Sequence, residues 1–206
     1  MLKIWGRLNS SNVKKVIWIA NELKLPYEHM NLGGAYGGLD DPAFLQRNPN
    51  GLVPLIEDGK TVLWESNVIV RYLAAQYGKD TFWIEDPAKR AQAEKWMDWA
   101  STTSMPDFRD VMMNLVRLPE DQRDPIVAQR GVQGLSKMMR IANNALEQQP
   151  WLTGDHFGIG DIPLGCLVYA WFLFPIERED MPALEAWYKR LTERPAYQKA
   201  VMIPLS

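Results

Sequence analysis

Cysteine and histidine are scarce in this 206-residue sequence, which contains one cysteine, Cys166, and two histidines, His29 and His156. A single cysteine excludes an internal disulfide framework, a Cys-x-x-Cys redox pair and a zinc site built from thiolates. Neither histidine has a partner at ligand spacing, which argues against a histidine-based metal centre or catalytic triad. We therefore expect no bound metal, and we interpret Cys166, which lies in an apolar helical pattern, as a core residue and not a catalytic one.

Charge of one sign and long apolar runs are also lacking. The net charge is −2 and the charged residues are interspersed, so no basic stripe marks a nucleic-acid partner. No apolar run approaches the length of a membrane span, and the N-terminus lacks the apolar core of a signal peptide. We expect a soluble protein of a reducing compartment, the cytoplasm, without a membrane partner.

The patterns that are present divide the chain into two parts. Alternating apolar residues predict strands at residues 2–5 and 26–32, and Val13, Val16 and Ile17 recur at helical spacing between them. A short helix over 42–47, a hairpin over 52–64 and a helix over 67–77 follow. This part has the order βαβαββα, which with the Val53-Pro54 step resembles a thioredoxin-like α/β domain.

Only helical patterns occur after residue 87. They predict helices over 88–117, 125–148, 162–174 and 182–194, with a last short helix from residue 196. We predict an α/β domain at residues 1–78, a linker at 79–87 and an all-α helical domain at 88–206.

The segment 50–66 is the most distinctive part of the sequence. Pro54 lies in the first apolar run of the hairpin, where it cannot donate to a ladder, so we predict an edge strand there. The backbone of Val53 is then free to pair with an extended peptide. Glu65 and Ser66 precede a helical pattern, where a hydroxyl and the free amides of a helix start can hold a carboxylate.

A glycine-rich segment, Gly33-Gly34-Ala35-Tyr36-Gly37-Gly38, invites interpretation as a phosphate-binding loop. It lacks the Gly-Lys-Ser/Thr ending of that motif, and Asp40 and Asp41 would repel phosphate. We interpret the segment as a mobile loop.

These features together resemble the cytosolic glutathione S-transferase family over essentially the whole chain. Two segments carry most of the resemblance: Asn48-Pro49-Asn50-Gly51-Leu52-Val53-Pro54-Leu55 and Glu65-Ser66-Asn67-Val68-Ile69-Val70-Arg71-Tyr72-Leu73. A third, Gly158-Ile159-Gly160-Asp161-Ile162, resembles the buried capping segment of the family's helical domain. We interpret Asp161 as a folding residue at the third helical position, with Gly158 as the N-cap.

The resemblance implies a glutathione site built from Val53, Pro54, Glu65 and Ser66. A cis Val53-Pro54 peptide bond would turn the Val53 backbone toward the cysteinyl backbone of glutathione. The γ-glutamyl carboxylate would meet Ser66, and its ammonium would lie near Glu65. The alternative is that Ser66 only caps a helix and Glu65 is only a surface charge.

A transferase of this family must ionise the glutathione thiol, whose free pKa is about 8.5. Trp5 and Leu8 stand where tyrosine-dependent members have their tyrosine. Serine-dependent members place their serine at Ser10, a bacterial-type subgroup places an asparagine at Asn12, and Ser11 is a third candidate. We therefore expect a serine- or asparagine-dependent, theta-like or related bacterial type. The alternative is that all three residues only cap the first helix.

Two neighbouring lysines, Lys14 and Lys15, follow in the first helical turn. They either raise the positive potential for an anionic tripeptide or form a solvated face.

The resemblance also implies a second substrate, a small apolar electrophile, bound by the helical domain. The candidate pocket residues are Met105, Phe108, Arg109, Met112, Met113 and Trp171. Methionine and aromatic residues at helical spacing are equally typical of a core.

The function predicted from the sequence is therefore a cytoplasmic glutathione transferase that serves detoxification. A homodimer is implied, with the helix 67–77 and the start of the helix 88–117 across a two-fold axis. Two alternatives stay open. One is a glutathione-dependent disulfide or peroxide reductase, and the other is a non-catalytic assembly module with the same fold.

Overall fold

The computed structural model describes residues 1–79 and 81–206, which form two compact units. The first unit contains Met1–Glu85 and Pro195–Ile203, and the second contains Asp86–Arg194 and Pro204–Ser206. Residues 195–203 thus pack with the N-terminal unit, whereas the sequence pattern assigns them to the helical domain. Asp80, in the predicted linker, lies outside the described residues. The domain limits stay a prediction.

A four-stranded sheet organises the N-terminal unit. Its strands are β1 (Leu2–Trp5), β2 (Tyr27–Met30), β3 (Leu55–Asp58) and β4 (Thr61–Trp64), in the spatial order β2-β1-β3-β4. β1 is parallel to β2 and antiparallel to β3, and β3 is antiparallel to β4. The helices between them are α1 (Ser11–Glu22), α2 (Pro42–Leu45) and α3 (Ser66–Tyr77). The predicted order βαβαββα is confirmed.

Pro54 lies outside the sheet, directly before β3. β3 is paired on both sides, so the prediction of an edge strand there is wrong, and β4 occupies that edge. Because the strand begins one residue after Pro54, the missing amide hydrogen interrupts no ladder. A two-residue turn joins β3 to β4, with Gly59 at a φ of 61°.

The core of this unit lies between the sheet and the two long helices. α1 and α3 pack against each other. The fully buried apolar residues include Ile4, Val13, Val16, Leu55, Ile56, Ile69 and Leu73. Their spacing matches the period of 3.6 on the helices, which is why the sequence pattern located them.

The second unit is helical, with α4 (Pro87–Trp99), α5 (Met105–Met112), α6 (Pro125–Leu146), α7 (Ile162–Leu173) and α8 (Pro182–Thr192). The predicted helix 88–117 is interrupted by wide π-helical turns at Ala100–Ser104 and Met113–Arg117. Pro106 explains the first, because it has no amide hydrogen for the preceding turn. Within residues 1–79 and 81–206, no helix is long and apolar enough to cross a membrane.

The last helix, α9 (Pro195–Ala200), packs on α1 in the N-terminal unit. Trp18 and Tyr197 meet edge to face with ring centroids 4.7 Å apart. Lys14 Nζ donates a hydrogen bond to the Val201 carbonyl at 2.9 Å and is buried. The interpretation of Lys14 as part of a solvated face is therefore wrong.

A buried carboxylate precedes α7. Asp161 accepts hydrogen bonds from the amides of Leu152 at 2.7 Å, Thr153 at 3.3 Å and Gly158 at 3.1 Å, and from Trp187 Nε1 at 2.9 Å. Burial raises the pKa of the Asp161 carboxyl, and the donated hydrogen bonds oppose that rise. α7 begins after Asp161, so its predicted third helical position is wrong, but the contact with the Gly158 amide forms and supports a folding role.

Candidate functional site

The Val53-Pro54 peptide bond is cis, which confirms the geometry that the resemblance implies. Gly6, with a φ of +147°, lies directly beside Val53. A Cβ atom on Gly6 would lie 3.1 Å from Val53 Cβ and 2.4 Å from Val13 Cγ2. Glycine at this position lets the loop between β1 and α1 approach Val53.

Asn48 shapes the chain that leads into Val53, and sequence reasoning assigned it no role. It is buried, its Nδ2 donates to the Leu52 carbonyl at 2.7 Å, and its Oδ1 accepts from the Asn50 amide at 3.1 Å. Asparagine side chains commonly close turns in this way. The Asn-Pro-Asn-Gly sequence was the signal that could have identified it.

Ser10 occupies the N-cap position of α1. Its side chain makes no capping hydrogen bond, and the residue is only 9% exposed. Capping therefore does not account for the Ser10 hydroxyl. Ser11 and Asn12 form the first turn of the same helix.

A polar cluster joins the starts of α1 and α3 and consists of Asn12, Lys15, Ser66 and Asn67. Ser66 Oγ donates to Asn12 Oδ1 at 3.2 Å. Lys15 Nζ donates to Ser66 Oγ at 3.3 Å and to Asn67 Oδ1 at 3.2 Å. The structure thus brings the predicted carboxylate site, Ser66, into contact with a predicted thiolate donor, Asn12.

Lys15 is 1% exposed, so its interpretation as part of a solvated face is wrong. Its ammonium lies at the N-terminus of α3, where the helix dipole is also positive. Both contributions favour an anion at this end of α3.

Glu65 occupies the N-cap position of α3 with a φ of 71° and a ψ of 106°, and it is exposed. Such a conformation costs a residue other than glycine about 1–3 kcal/mol, and it is found mainly at binding and catalytic sites. Its side chain makes no capping hydrogen bond. Helix capping therefore does not explain Glu65.

The predicted pocket residues for a second substrate lie in the helical unit. Phe108, Met112 and Trp171 are buried there, and the Phe108 ring packs on Phe174 with centroids 6.0 Å apart. Met105 is half-buried and Arg109 is exposed. Phe108, Met112 and Trp171 therefore contribute to a core, and the pocket for the second substrate stays a prediction.

The described residues contain no group of three or more histidine, cysteine, aspartate or glutamate side chains that could hold a metal ion. Cys166 is buried in α7. The site is therefore made of neutral polar groups, one lysine, one glutamate and backbone.

Comparison with protein families gives two matches that together span most of the chain. Residues 6–81 match the N-terminal domain of glutathione S-transferases, and residues 93–195 match the C-terminal domain.

Individual proteins show the same similarity. The chain is 46% identical to glutathione S-transferase GstB of Escherichia coli over 100% of both proteins. It is 28% identical to the disulfide-bond oxidoreductase YfcG of the same organism, over 93% of this chain and 90% of that protein. Among solved structures, a theta class glutathione S-transferase from Xanthomonas axonopodis with glutathione bound matches with a TM-score of 0.97 and 49% identity, over 100% of this chain and 99% of that one.

Proposed function

This chain belongs to the glutathione S-transferase family and is an enzyme of that family, and we propose that it conjugates glutathione to a small electrophile with an apolar body. The observation that carries the proposal is the hydrogen bond between Ser66 and Asn12. It joins the residue expected to hold the γ-glutamyl carboxylate to a residue expected to hold the thiolate.

In the proposed complex, glutathione lies along the N-terminal unit. The Val53 backbone pairs with the cysteinyl residue, and the γ-glutamyl carboxylate binds the Ser66 hydroxyl and the first amides of α3. Lys15 adds positive charge beneath the carboxylate, and the exposed Glu65 side chain meets the ammonium group. The glutathione bound to the theta class relative supports this choice of ligand.

Thiolate stabilisation is the chemical task of the loop before α1. Lowering the thiol pKa by about two units requires about 2.7 kcal/mol of preference for the anion, which hydrogen bonds and a helix N-terminus can supply. Because Ser66 holds Asn12 Oδ1, the Asn12 amide nitrogen points away from Ser66 and is oriented to donate. The Ser10 hydroxyl, which does not cap α1, is the second candidate donor.

The reaction then needs only an ionised thiol and a positioned electrophile. The sulfur attacks the electrophilic carbon, a carbon–sulfur bond forms, and the leaving group departs with its bonding electrons. The thiol proton passes to solvent when glutathione binds. No metal and no covalent enzyme intermediate take part in this scheme.

Titration with glutathione, followed by tryptophan fluorescence and by thiolate absorbance against pH, tests the proposal. We expect binding at millimolar concentration or tighter and a bound-thiol pKa below about 8.5. Ser10→Ala and Asn12→Ala identify the donor, because loss of the true donor returns the pKa toward the free value. Ser11→Ala tests the third candidate donor in the same way. A protein that binds no glutathione would contradict the proposal.

A second candidate function is glutathione-dependent disulfide reduction. Cys166 is buried, so glutathione would have to supply the thiols, and the relative named disulfide-bond oxidoreductase supports this chemistry. Turnover of a small disulfide that exceeds turnover of an aryl halide would favour this candidate.

The proposed assembly is a cytoplasmic homodimer that serves detoxification. β4 is the edge strand, and exposed apolar side chains lie on it and on the following helix: Val62, Trp64 and Val68. Such residues favour association with a second copy. The molecular mass in solution, measured by light scattering, tests this.

A further inference from the structure

Arg7 is a half-buried arginine in the loop between β1 and α1. Its Nη1 donates to Asn9 Oδ1 at 2.6 Å, and no carboxylate within residues 1–79 and 81–206 pairs with its guanidinium. Burial lowers the pKa of Arg7 below its ordinary value. A guanidinium that is partly shielded from water and has no counter-charge in the described residues can bind an anion supplied from outside the chain.

The glycine-rich segment holds this side chain in place. Gly34, with a φ of +59°, begins a short 3-10 turn, Gly34–Tyr36, and a Cβ atom on it would lie 2.8 Å from Arg7 Cδ. A side chain at residue 34 would therefore force the Arg7 stem to move. With Gly34 on one side and Asn9 on the other, the guanidinium is oriented before any ligand arrives.

Arg7 also lies beside the proposed thiolate donors. The Ser10 amide donates to the Arg7 carbonyl at 3.1 Å, which closes a turn and keeps the two Cα atoms within about 7 Å. The neighbouring residue Gly6 contacts Val53. Leu8 and Tyr36 are exposed next to these loops and offer apolar surface.

We propose that Arg7 binds a carboxylate of the second substrate, so that the enzyme prefers electrophiles that carry an acid group on an apolar body. This inference rests on the proposed function and specifies its substrate class. The planar guanidinium can bind a carboxylate through two parallel hydrogen bonds, which also orients the electrophile. In this proposal, the glycine-rich segment positions an arginine that binds a carboxylate, and the segment does not itself bind phosphate.

A matched pair of electrophiles tests the inference: a benzoate with chlorine para and a nitro group meta to the carboxylate, and its neutral carboxamide. In both, glutathione sulfur attacks the ring carbon that bears chlorine, a carbon–sulfur bond forms, and chloride leaves with the bonding electrons. The thiol proton goes to solvent. The measured quantity is the acid-to-amide ratio of kcat/KM, divided by the ratio of the uncatalysed rates.

We expect the wild-type ratio to favour the acid and Arg7→Met to lower it about tenfold or more, as loss of a charged hydrogen bond does. Arg7→Lys keeps the charge and should restore part of the ratio. Arg47→Met is the control, because Arg47 belongs to the same unit but stacks on Trp5 at 4.6 Å. It should leave the ratio unchanged.

An acid-to-amide ratio that Arg7→Met does not change would overturn the inference. If the KM for glutathione also rose in that variant, Arg7 would be assigned to the glycyl carboxylate of glutathione. Calorimetric titration with nitrobenzoate and nitrobenzamide separates the inference from the proposed function. Acid-selective binding without conjugation would refute only the proposed function, whereas equal binding of both compounds would refute the role of Arg7.

Discussion

The two units each contain a polar cluster, and the clusters differ in the groups that form their hydrogen bonds. In the helical unit, Asp161 accepts four hydrogen bonds, three from backbone amides and one from Trp187. In the N-terminal unit, side-chain hydrogen bonds of 3.2–3.3 Å join Asn12, Lys15 and Ser66. A carboxylate surrounded by four donors has little capacity for a ligand. Side chains that hold one another can exchange a partner for a substrate group.

The contrast separates a folding cluster from a binding cluster. Asp161 holds the segment before α7 through three backbone amides and joins it to α8 through the Trp187 side chain. The Ser66 cluster joins two helix N-termini, where anions are favoured. We therefore expect substitution in the first cluster to change stability and substitution in the second to change affinity.

Asp161→Ala should have the largest effect. Removal of the carboxylate leaves three buried donors and the half-buried Thr153 amide without this acceptor, and each unsatisfied buried group costs about 1–3 kcal/mol. We expect the free energy of unfolding to fall by about 3–5 kcal/mol, measured by urea denaturation. Asp161→Asn retains the shape and should lose less. A fall below about 1 kcal/mol would contradict the assignment of this cluster to folding.

Two buried serines, one in each unit, sharpen the comparison. Ser66→Ala removes a hydroxyl with two side-chain partners, and we expect glutathione affinity to fall about tenfold because a hydrogen bond to a carboxylate is lost. Ser104→Ala removes a buried hydroxyl that has no partner in the described structure. It should leave glutathione affinity unchanged and raise stability by up to about 1 kcal/mol.

Fluorescence titration and urea denaturation of both serine variants supply the measurements. If Ser66→Ala changed only stability, or if Ser104→Ala weakened glutathione binding, the division of roles between the two clusters would fail.

An exposed polar cluster should give the smallest effect. The hydroxyls of Tyr72 and Tyr77 donate to Asp58 Oδ2 at 2.8 and 2.7 Å. The hydrogen bond to Asp58 raises the pKa of Tyr77 to about 12. The folded state thus holds this proton more tightly than the unfolded chain, whose tyrosine pKa is about 10.

The stability that this bond contributes is therefore present below pH of about 10 and is lost as pH rises toward 12. Ultraviolet titration of tyrosinate should lose a phenol that titrates at about pH 12 in Tyr77→Phe. Asp58→Asn should move the Tyr77 pKa back toward its ordinary value. A Tyr77 that titrates at the ordinary value in the wild-type protein would contradict the contact.

Much of the fold was predictable because its signals are local. The apolar spacing in α1 and α3 predicts helices, and the Asp-Gly step before β4 predicts a turn. Each signal depends on residues only a few positions apart in the sequence. The edge-strand prediction for the run containing Pro54 was wrong because strand order depends on β1, about fifty residues away. Pro54 indicates only that its own position donates no hydrogen bond to a neighbouring strand. It does not indicate the position of the following strand in the sheet.

The sequence predicted candidate residues for the site, but it did not predict which of them contact one another. Val53, Glu65 and Ser66 were predicted from motifs that resemble the family's glutathione-binding segments, and Ser10 and Asn12 from the resemblance to its serine- and asparagine-dependent members; these roles stay predictions. The solvated-face interpretation of Lys14 and Lys15 was wrong because both lysines pack against parts of the chain that the sequence pattern does not bring together. Arg7 was missed because an unpaired charge is visible only when its surroundings are known.

The sequence by itself determined the order of elements, the segments that resemble a glutathione site and the absence of any thiolate framework. These follow from residue types and periodicity, which act over a few residues. Only the tertiary structure decided that Lys15 meets Ser66, 51 residues away, and that Gly34 makes room for Arg7. The reason is physical: desolvation and the pairing of charges depend on what surrounds a side chain, and distant parts of the chain supply those surroundings.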